Sequence, residues 1–481
     1  MLNENIKVAI IGAGVAGAST AITLGKLGMN VTLFEKESSL VSGPPFCHLH
    51  AGGNLYREIS DKQCVTLLKQ SINFLRFYPF IIDYRPTVIA LPLNDKSTPK
   101  ALLPRLNLLV DEYKKLIQKD AQNKVLGEST DYYKCYDRAE LVALQTKDYA
   151  TSPNISDEWM ISVAKNIDLN KIQFPLILVQ EYGLNLFRLA SGTMLILKKL
   201  DSVSIRTETS VTAIKREKEQ FNLTFKSKDN IAQGTFDYII NATGFRTGQI
   251  DDMLDAPCKR MVEFKAAYVS KCDNYENIFF PEIIFHGERG TPEGMGQFTP
   301  YPNGYVQLHG MTTDITLYKD GLVANSSHSC QPQLSQNFVE KIEKSWEQEE
   351  TRKRTHLAIQ HLSKFIPNFS TAKVASKPLF GAQQIPGDDP TLRVAEVSFP
   401  SLNYARCEIV KVSSVIDMVE SIIKKLITLE YLSSSAIDKV KSIHLENILL
   451  EEEIDVYARE LAITRNYPSS LAERIITKSV N

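Results

Sequence analysis

Lys7-Val8-Ala9-Ile10-Ile11 runs directly into Gly12-Ala13-Gly14-Val15-Ala16-Gly17, and further on Val31-Thr32-Leu33-Phe34 ends in Glu35. The first run has the character of a buried strand. Apolar residues then recur at helical spacing through Ala18, Ala21, Ile22 and Leu24 before the second β-rich run. Gly12 permits a tight turn, Gly14 lets the backbone approach a pyrophosphate, and Gly17 lets a helix pack closely on the strand, while the helix start offers free amides to an anion. Ala21 and Gly28 occupy packing positions that suit this arrangement. Glu35, eighteen residues beyond Gly17, is placed to accept hydrogen bonds from a ribose. An acid there favours an unphosphorylated ribose, hence FAD or NAD rather than NADP. A plain βαβ unit with tight turns is the competing explanation, and the agreement of strand, glycines, helix and acid weighs against it.

At 481 residues the chain exceeds one hydrophobic core and should form two or three domains. A hydrophobic content of 43% and a charged content of 23% describe an ordinary globular protein. A net charge of −1 with no long basic run excludes nucleic acid as an expected partner. No apolar stretch is long enough for a transmembrane segment. Met1-Leu2-Asn3-Glu4-Asn5 carries an acid and no basic n-region, so no signal peptide is expected and the expected compartment is cytoplasmic. Seven scattered cysteines without a Cys-x-x-Cys pair read as buried free thiols rather than as a zinc site or a disulfide framework.

Beyond Glu35, the loop over 38–53 holds Cys47-His48-Leu49-His50-Ala51-Gly52-Gly53, with two of the chain's eight histidines two residues apart. Ser60-Asp61-Lys62-Gln63 has the form of a capping box ahead of a helix that Pro79 stops. A strand over 87–93 and an amphipathic helix over 99–118 follow, then a polar, irregular stretch over 121–172 with Trp159 under a cap. Asn185 caps a helix to about 200, and strands over 204–226 lead to Phe236-Asp237-Tyr238-Ile239-Ile240, which ends in Asn241-Ala242-Thr243-Gly244. Alternating, aromatic-rich segments over 261–317 predict an antiparallel sheet, and 331–366 is charged and helical. A strand over 392–397 and a helix from about 407 to 426 precede a charged tail whose Glu451-Glu452-Glu453 reads as a solvated face.

This order of parts resembles the FAD-dependent oxidoreductases of the D-amino-acid oxidase superfamily, over roughly residues 6–428. His50-Ala51-Gly52 and Gln297-Phe298-Thr299-Pro300 look most like the branch that oxidises 2-hydroxy acids, which includes malate:quinone oxidoreductase and L-2-hydroxyglutarate oxidase. The resemblance implies an α/β fold with a Rossmann-like FAD-binding domain (1–95, 170–260 and 375–428), an antiparallel-sheet substrate domain (96–169 and 261–374) and a helical tail (429–481). It implies that Gly12, Gly14, Ala16 and Gly17 hold the pyrophosphate, that Glu35 with Lys36 meets the adenosine ribose, and that Val211 meets adenine. It further implies that Ala242, Thr243 and Gly244 pass under the dinucleotide and that Ala51 and Gly52 lie along it, with His48 and His50 near the isoalloxazine. Asn403, Tyr404, Ala405 and Arg406 would start the last helix at the flavin's pyrimidine edge. Two departures stand out: no Arg-x-Gly-Gly follows the acid, and Ala405-Arg406-Cys407-Glu408 replaces the usual glycine-rich turn. Arg406 or Lys411 could compensate with positive charge.

Oxidising an alcohol carbon with flavin needs a proton acceptor, a hydride path and a cation for the substrate carboxylate. His50, then His309, are the candidate bases, because imidazole titrates near pH ~6.5. Arg393 is the candidate carboxylate ligand through its bidentate fork, with Arg246 and Arg289 as rivals. Histidines beside Ala-Gly also suggest covalent flavin attachment, as in sarcosine-type relatives; a metal would want a third ligand. The expected electron acceptor is quinone or O2, and the charged tail leaves dimerisation or peripheral membrane contact open. The competing functions are an amine or amino-acid oxidase, a flavin monooxygenase or halogenase, and a protein that binds FAD without turnover.

Overall fold

The computed structural model describes residues 6–42, 49–51, 59–228, 230–441, 443, 445 and 448–476, with the backbone alone at 49–51 and 441. The opening unit forms as its sequence dictates. Strand β1 (Lys7–Ile11) leads through the glycine turn into helix α1 (Val15–Lys26) and back to strand β2 (Asn30–Phe34). β1 pairs in parallel with β2 on one side and with Tyr238–Asn241 on the other. Buried on both faces, these strands carry continuous apolar runs rather than alternation. The full sheet order is Val397–Ser401, Tyr404–Cys407, Tyr238–Asn241, β1, β2, Val203–Arg206. The order reverses beside β1, which opens a crevice at the carboxyl ends of β1 and Tyr238–Asn241. An antiparallel meander, Thr209–Glu217, Gln220–Ser227 and Asn230–Phe236, closes over the end of β2, where Phe34 meets Phe225 at 5.0 Å and Phe236 at 5.9 Å.

The predicted antiparallel block is a larger sheet in the order Leu322–Ala324, Arg260–Lys271, Tyr305–Gly310, Gly296–Pro300, Glu282–Phe285, Thr87–Ala90, Leu176–Val179, Tyr133–Tyr136. Leu379–Pro386 runs along Arg260–Lys271 outside that path, and the pairing of Glu282–Phe285 with Thr87–Ala90 is parallel. Alternation sorts this sheet into two faces. Val88, Ala266, Tyr268, Ile283, Phe298, Val306 and Leu308 pack with Ala358, Ile359 and Leu362 of helix Gln348–Ser363, whereas Ile89, Ala267 and Val269 join the core around α1.

Three local expectations need correction. The stretch over 121–172 is not irregular, since it holds strand Tyr133–Tyr136 and helices Arg138–Leu144 and Ser156–Asn166, the last carrying Trp159 into the core. The strand expected over 392–397 lies instead at Val397–Ser401. Tyr404, Ala405 and Arg406 do not start a helix: Tyr404–Cys407 is a buried strand parallel to Tyr238–Asn241, Asn403 donates to Glu219 O at 2.9 Å beside it, and the last long core helix is Val415–Thr428.

The segment beyond Leu429 is attached to the core. Helix Glu451–Thr464 lays Ile454, Ala458, Leu461 and Ala462 against helix Leu186–Leu197, whose fully buried Arg188 donates to Glu451 and Asp455. Glu452 and Glu453 are solvated as expected, but Glu451 is a partner of Arg188 and Arg474. No helix among the described residues is long and apolar enough to cross a membrane.

Candidate functional site

The crevice is lined by two closed glycines, both in the opening turn, and two open ones, one in that turn and one after Tyr238–Asn241. Gly12 takes φ +93°, and a Cβ there would lie 2.6 Å from Ala242 O; a Cβ on Gly17 would lie 1.9 Å from Gly12 O. These two glycines press the turn against Ala242-Thr243. Around Gly14 and Gly244, by contrast, an added Cβ meets nothing within 4 Å. The structure therefore keeps bare backbone facing open space on both strands of the crevice. Helix α1, which includes Ala16, begins there with no side-chain cap and no acid in its first turn, so its leading amides suit an anion.

Glu35 is held in place from both sides, its two carboxylate oxygens accepting from Ala13 N at 2.8 Å and Glu37 N at 2.9 Å. Burial pushes its carboxyl up and the two amides pull it back. Glu35 O accepts from Thr209 N at 2.8 Å, which sets the strand of Val211 beside the acid; its pairing slips between Val211 and Ala213. Asn241 supports the Ala242-Thr243-Gly244 turn, donating to Thr247 O at 2.9 Å and Tyr404 Oη at 2.8 Å and accepting from Thr243 Oγ1 at 2.7 Å. Lys36 pairs with Glu37 at 3.3 Å and with Glu343 at 3.9 Å, and Arg246 shares Glu343. Open backbone, an uncapped helix start and a fixed acid fit the pyrophosphate and ribose of a dinucleotide.

Arg406 is occupied elsewhere. Its guanidinium donates to Asp251 at 2.8 Å and to Ala256 O at 3.0 Å, and Tyr404 Oη donates to Asp251 at 2.6 Å. The buried Asp251 also pairs with Arg260 at 3.2 Å. The guanidinium of Arg406 is thus a structural partner of Asp251. Arg393 lies in the loop before Val397–Ser401, where its guanidinium donates to Pro390 O and Leu392 O. His48 and Gly52 lie outside the described residues. His50 and Ala51 lie in strand Leu49–Ala51, opposite Gly183 and Tyr182.

The face of the large sheet turned toward the α1 core carries a second group that the sequence did not announce. Arg85, almost fully buried, donates to Glu282 at 2.7 Å and pairs with Asp83 at 3.3 Å. Burial alone would lower Arg85, and the carboxylates of Glu282 and Asp83 outweigh it, so the guanidinium stays charged. Gln297 donates to Glu282, and Tyr301 to Gln307 at 3.3 Å. Gly183, across from both His50 and Asp83, would place a Cβ 2.5 Å from the Arg85 guanidinium, so the strand of His50 lies against this network. Farther along the face, Lys265 pairs with Glu263 at 2.6 Å and donates to Gln383 at 3.0 Å, while Arg289 pairs with the other oxygen of Glu263. His309 is buried in front of them. Burial, then the charges of Lys265, Arg289 and Lys411, lower it to about 3, so it is neutral at physiological pH. The structure brings His309 and Arg289 together and places Arg393 on its own loop. Sequence reading passed over Glu263, Lys265, Arg85 and Glu282; the visible signal was charge at alternate positions of an otherwise apolar strand.

A family model described as FAD dependent oxidoreductase matches residues 7–381. A search of curated proteins returns no match. Among solved structures, the glycerol-3-phosphate dehydrogenase of Bacillus halodurans complexed with FAD superposes with a TM-score of 0.57 at 11% identity, covering 98% of this chain and 74% of that one. The L-amino acid deaminase of Proteus vulgaris gives 0.56 at 12%, covering 94% and 97%. The L-α-glycerophosphate oxidase of Mycoplasma pneumoniae with FAD bound gives 0.54 at 14%, covering 87% and 94%. At such identities the likeness is one of fold.

Proposed function

We propose, from the premise that this chain belongs to the family of FAD-dependent oxidoreductases and uses FAD, that it oxidises a small 2-hydroxy acid to the 2-oxo acid. The observation that carries the reading is the group around the buried His309, where Lys265 and Arg289 share the carboxylate of Glu263 and, with Lys411, lower the proton affinity of the imidazole. Such a site attracts an anion, and a substrate carboxylate entering it gains Coulomb energy in a poorly screened setting. Lys265 and Arg289, which share Glu263 with each other, also take the substrate carboxylate, in place of the Arg393 expected from sequence. His309 accepts the hydroxyl proton, with His50 as the alternative base. An anionic substrate offsets the surrounding cations and so raises the proton affinity of His309 at the moment it is needed.

FAD, when bound, supplies the acceptor for the hydride at its N5. In this reading Gly12, Gly14, Ala16 and Gly17 hold its pyrophosphate, Glu35 its ribose, and Ala242 to Gly244 line the opposite wall. The electrons then pass to quinone or O2. A second reading has one observation in its favour: the same cations suit the phosphate of an alcohol such as glycerol 3-phosphate, and two of the structural relatives are named for that compound. An amino acid is less well suited, because Lys265, Arg289 and Lys411 outnumber the carboxylate of Glu263 and oppose a substrate ammonium.

The test is anaerobic bleaching of the bound flavin by 2-hydroxy acids, glycerol 3-phosphate and amino acids in parallel. Reduction by a hydroxy acid, weakened in Lys265→Met mainly through KM, is expected. Reduction by glycerol 3-phosphate alone moves the proposal to the second reading, and reduction by amino acids alone removes it.

A further inference from the structure

The C-terminal segment reaches the turn that follows Glu35. Arg465, at the end of helix Glu451–Thr464, donates to Leu40 O at 2.7 Å, to Val41 O at 3.2 Å, and twice to Ser39 Oγ at 2.9 and 3.3 Å. Val41 is buried and sits at φ +49°, a conformation that a β-branched residue adopts only under constraint. Its amide in turn donates to Ala13 O at 2.8 Å, inside the Gly12-Ala13-Gly14 turn. The strained residue is therefore pinned on one side by the glycine turn and on the other by the guanidinium. Burial lowers Arg465 to about 10, which leaves it charged at neutral pH, and Glu35 and Glu37 lie within its field. The chain beyond it is docked along the molecule: Tyr467 Oη donates to Pro378 O at 2.8 Å, Asn303 to Ser470 Oγ at 3.0 Å, and Ile476 N to Asp83 at 3.1 Å.

We propose that Arg465 is a positioning residue of the cofactor site, supplied by the C-terminal segment, which holds Val41 in its left-handed conformation and thereby keeps the Ala13 turn in the shape that receives FAD. The inference rests on FAD lying at that turn. It also accounts for the missing Arg-x-Gly-Gly after the acid: a distant arginine braces the loop that a local glycine-rich motif would otherwise shape.

The experiment titrates FAD into the full-length apoprotein and follows flavin fluorescence. Arg465→Met should raise the Kd by ~10- to 100-fold, the scale of one lost charge-assisted hydrogen bond. Val41→Gly in the same background should recover most of that loss, because glycine takes φ +49° without strain. Arg474→Met, elsewhere in the segment, removes contacts to Glu451 and Ile82 O but none to the glycine turn, and its Kd should stay within about twofold of wild type. An unchanged Kd in Arg465→Met overturns the proposal, as does a loss that Val41→Gly leaves untouched, which marks a general packing role. If Arg465→Met does not fold, Ser39→Ala takes its place, with a ~3- to 10-fold loss expected and an unchanged Kd refuting. Gly14→Ala measured alongside separates the two levels: weakened binding there with none in the Arg465 and Ser39 variants sinks this inference alone, while unaltered binding there sinks the placement of FAD itself.

Discussion

Gly14→Ala and Gly17→Ala differ by one methyl each, three residues apart, and the structure assigns them opposite consequences. At Gly14 the backbone has φ −63° and ψ −177°, which alanine adopts freely, and the added Cβ meets nothing within 4 Å. The cost to the apoprotein is that of a poorer helix N-cap, about 1 kcal/mol or less, a shift of no more than ~2–4 °C in Tm. On the proposed placement of FAD, the methyl occupies in the holoprotein the space in which the pyrophosphate approaches the backbone. Displacing the phosphates weakens at least one charge-assisted amide contact, ~1.5–3 kcal/mol each, so the FAD Kd should rise ~10- to 100-fold. At Gly17 the Cβ would lie 1.9 Å from Gly12 O, well inside the 3.0 Å that real Cβ contacts respect, so α1 must move by more than an ångström. Overpacking of this kind costs ~1–3 kcal/mol and acts with or without cofactor. Thermal unfolding of both apoproteins and FAD titration of each give the comparison. Equal Kd values for Gly14→Ala and wild type, or an apoprotein destabilised as much as Gly17→Ala, refute the assignment of open and closed glycines.

Asp251→Asn leaves the buried guanidinia of Arg260 and Arg406 with only the longer contacts to Glu408 and should cost ~3–5 kcal/mol in urea unfolding; a loss below ~1 kcal/mol contradicts the network. His309 titrates at about 3 in the folded protein against 6.5 in the open chain, so the unfolded state binds the proton more readily between those values. Its contribution to stability is complete above pH 6.5 and is lost as pH falls toward about 3, a trend that His309→Asn should flatten; parallel wild-type and variant Tm curves over that range count against it. Arg85→Met strands the buried carboxylates of Glu282 and Asp83 and should destabilise by ~3–5 kcal/mol, whereas Arg85→Met with Glu282→Leu should recover only part of that loss because Asp83 stays unpaired; a single variant within ~1 kcal/mol of wild type defeats the reasoning.

Much of the fold was legible because its signals are local. Glycines at fixed spacing constrain a turn whatever surrounds it, Ser60 accepts from Gln63 N as the capping pattern requires, and alternation over Met261 to Leu308 separates two faces. The helix misread at Tyr404 to Arg406 shows where local evidence fails. A short strand buried on both sides and an apolar helix start look alike in sequence. The stronger marker lay later, in Ser413-Ser414 immediately before Val415, with Asp417 in the helix's first turn. The buried charge network left still less trace, because its members are distant in the chain: Arg85 and Glu282 are 197 positions apart and Asp83 meets the amide of Ile476. Only the folded sheet reveals that they share one face.

The placement of those charges separates folding from chemistry. Along Arg260–Lys271, the residues turned toward helix Gln348–Ser363 include Ala266 and Tyr268, whereas Glu263 and Lys265 occupy the alternate positions. The two sets experience the same strand and the same backbone bonding, so secondary structure does not explain the difference. Stability does not explain it either, since desolvating a carboxylate and an ammonium costs about as much as their attraction returns, and apolar residues of similar size serve a core at least as well. What the charges provide is fixed orientation: dipoles and ions held rigid by Gln297, Gln383 and the docked C-terminal segment need no reorganisation when a substrate charge arrives. On the proposed reading, the charged stretch of the second face, set beside the Ile89, Ala267 and Val269 that join the α1 core, is the part of the sheet that meets the substrate.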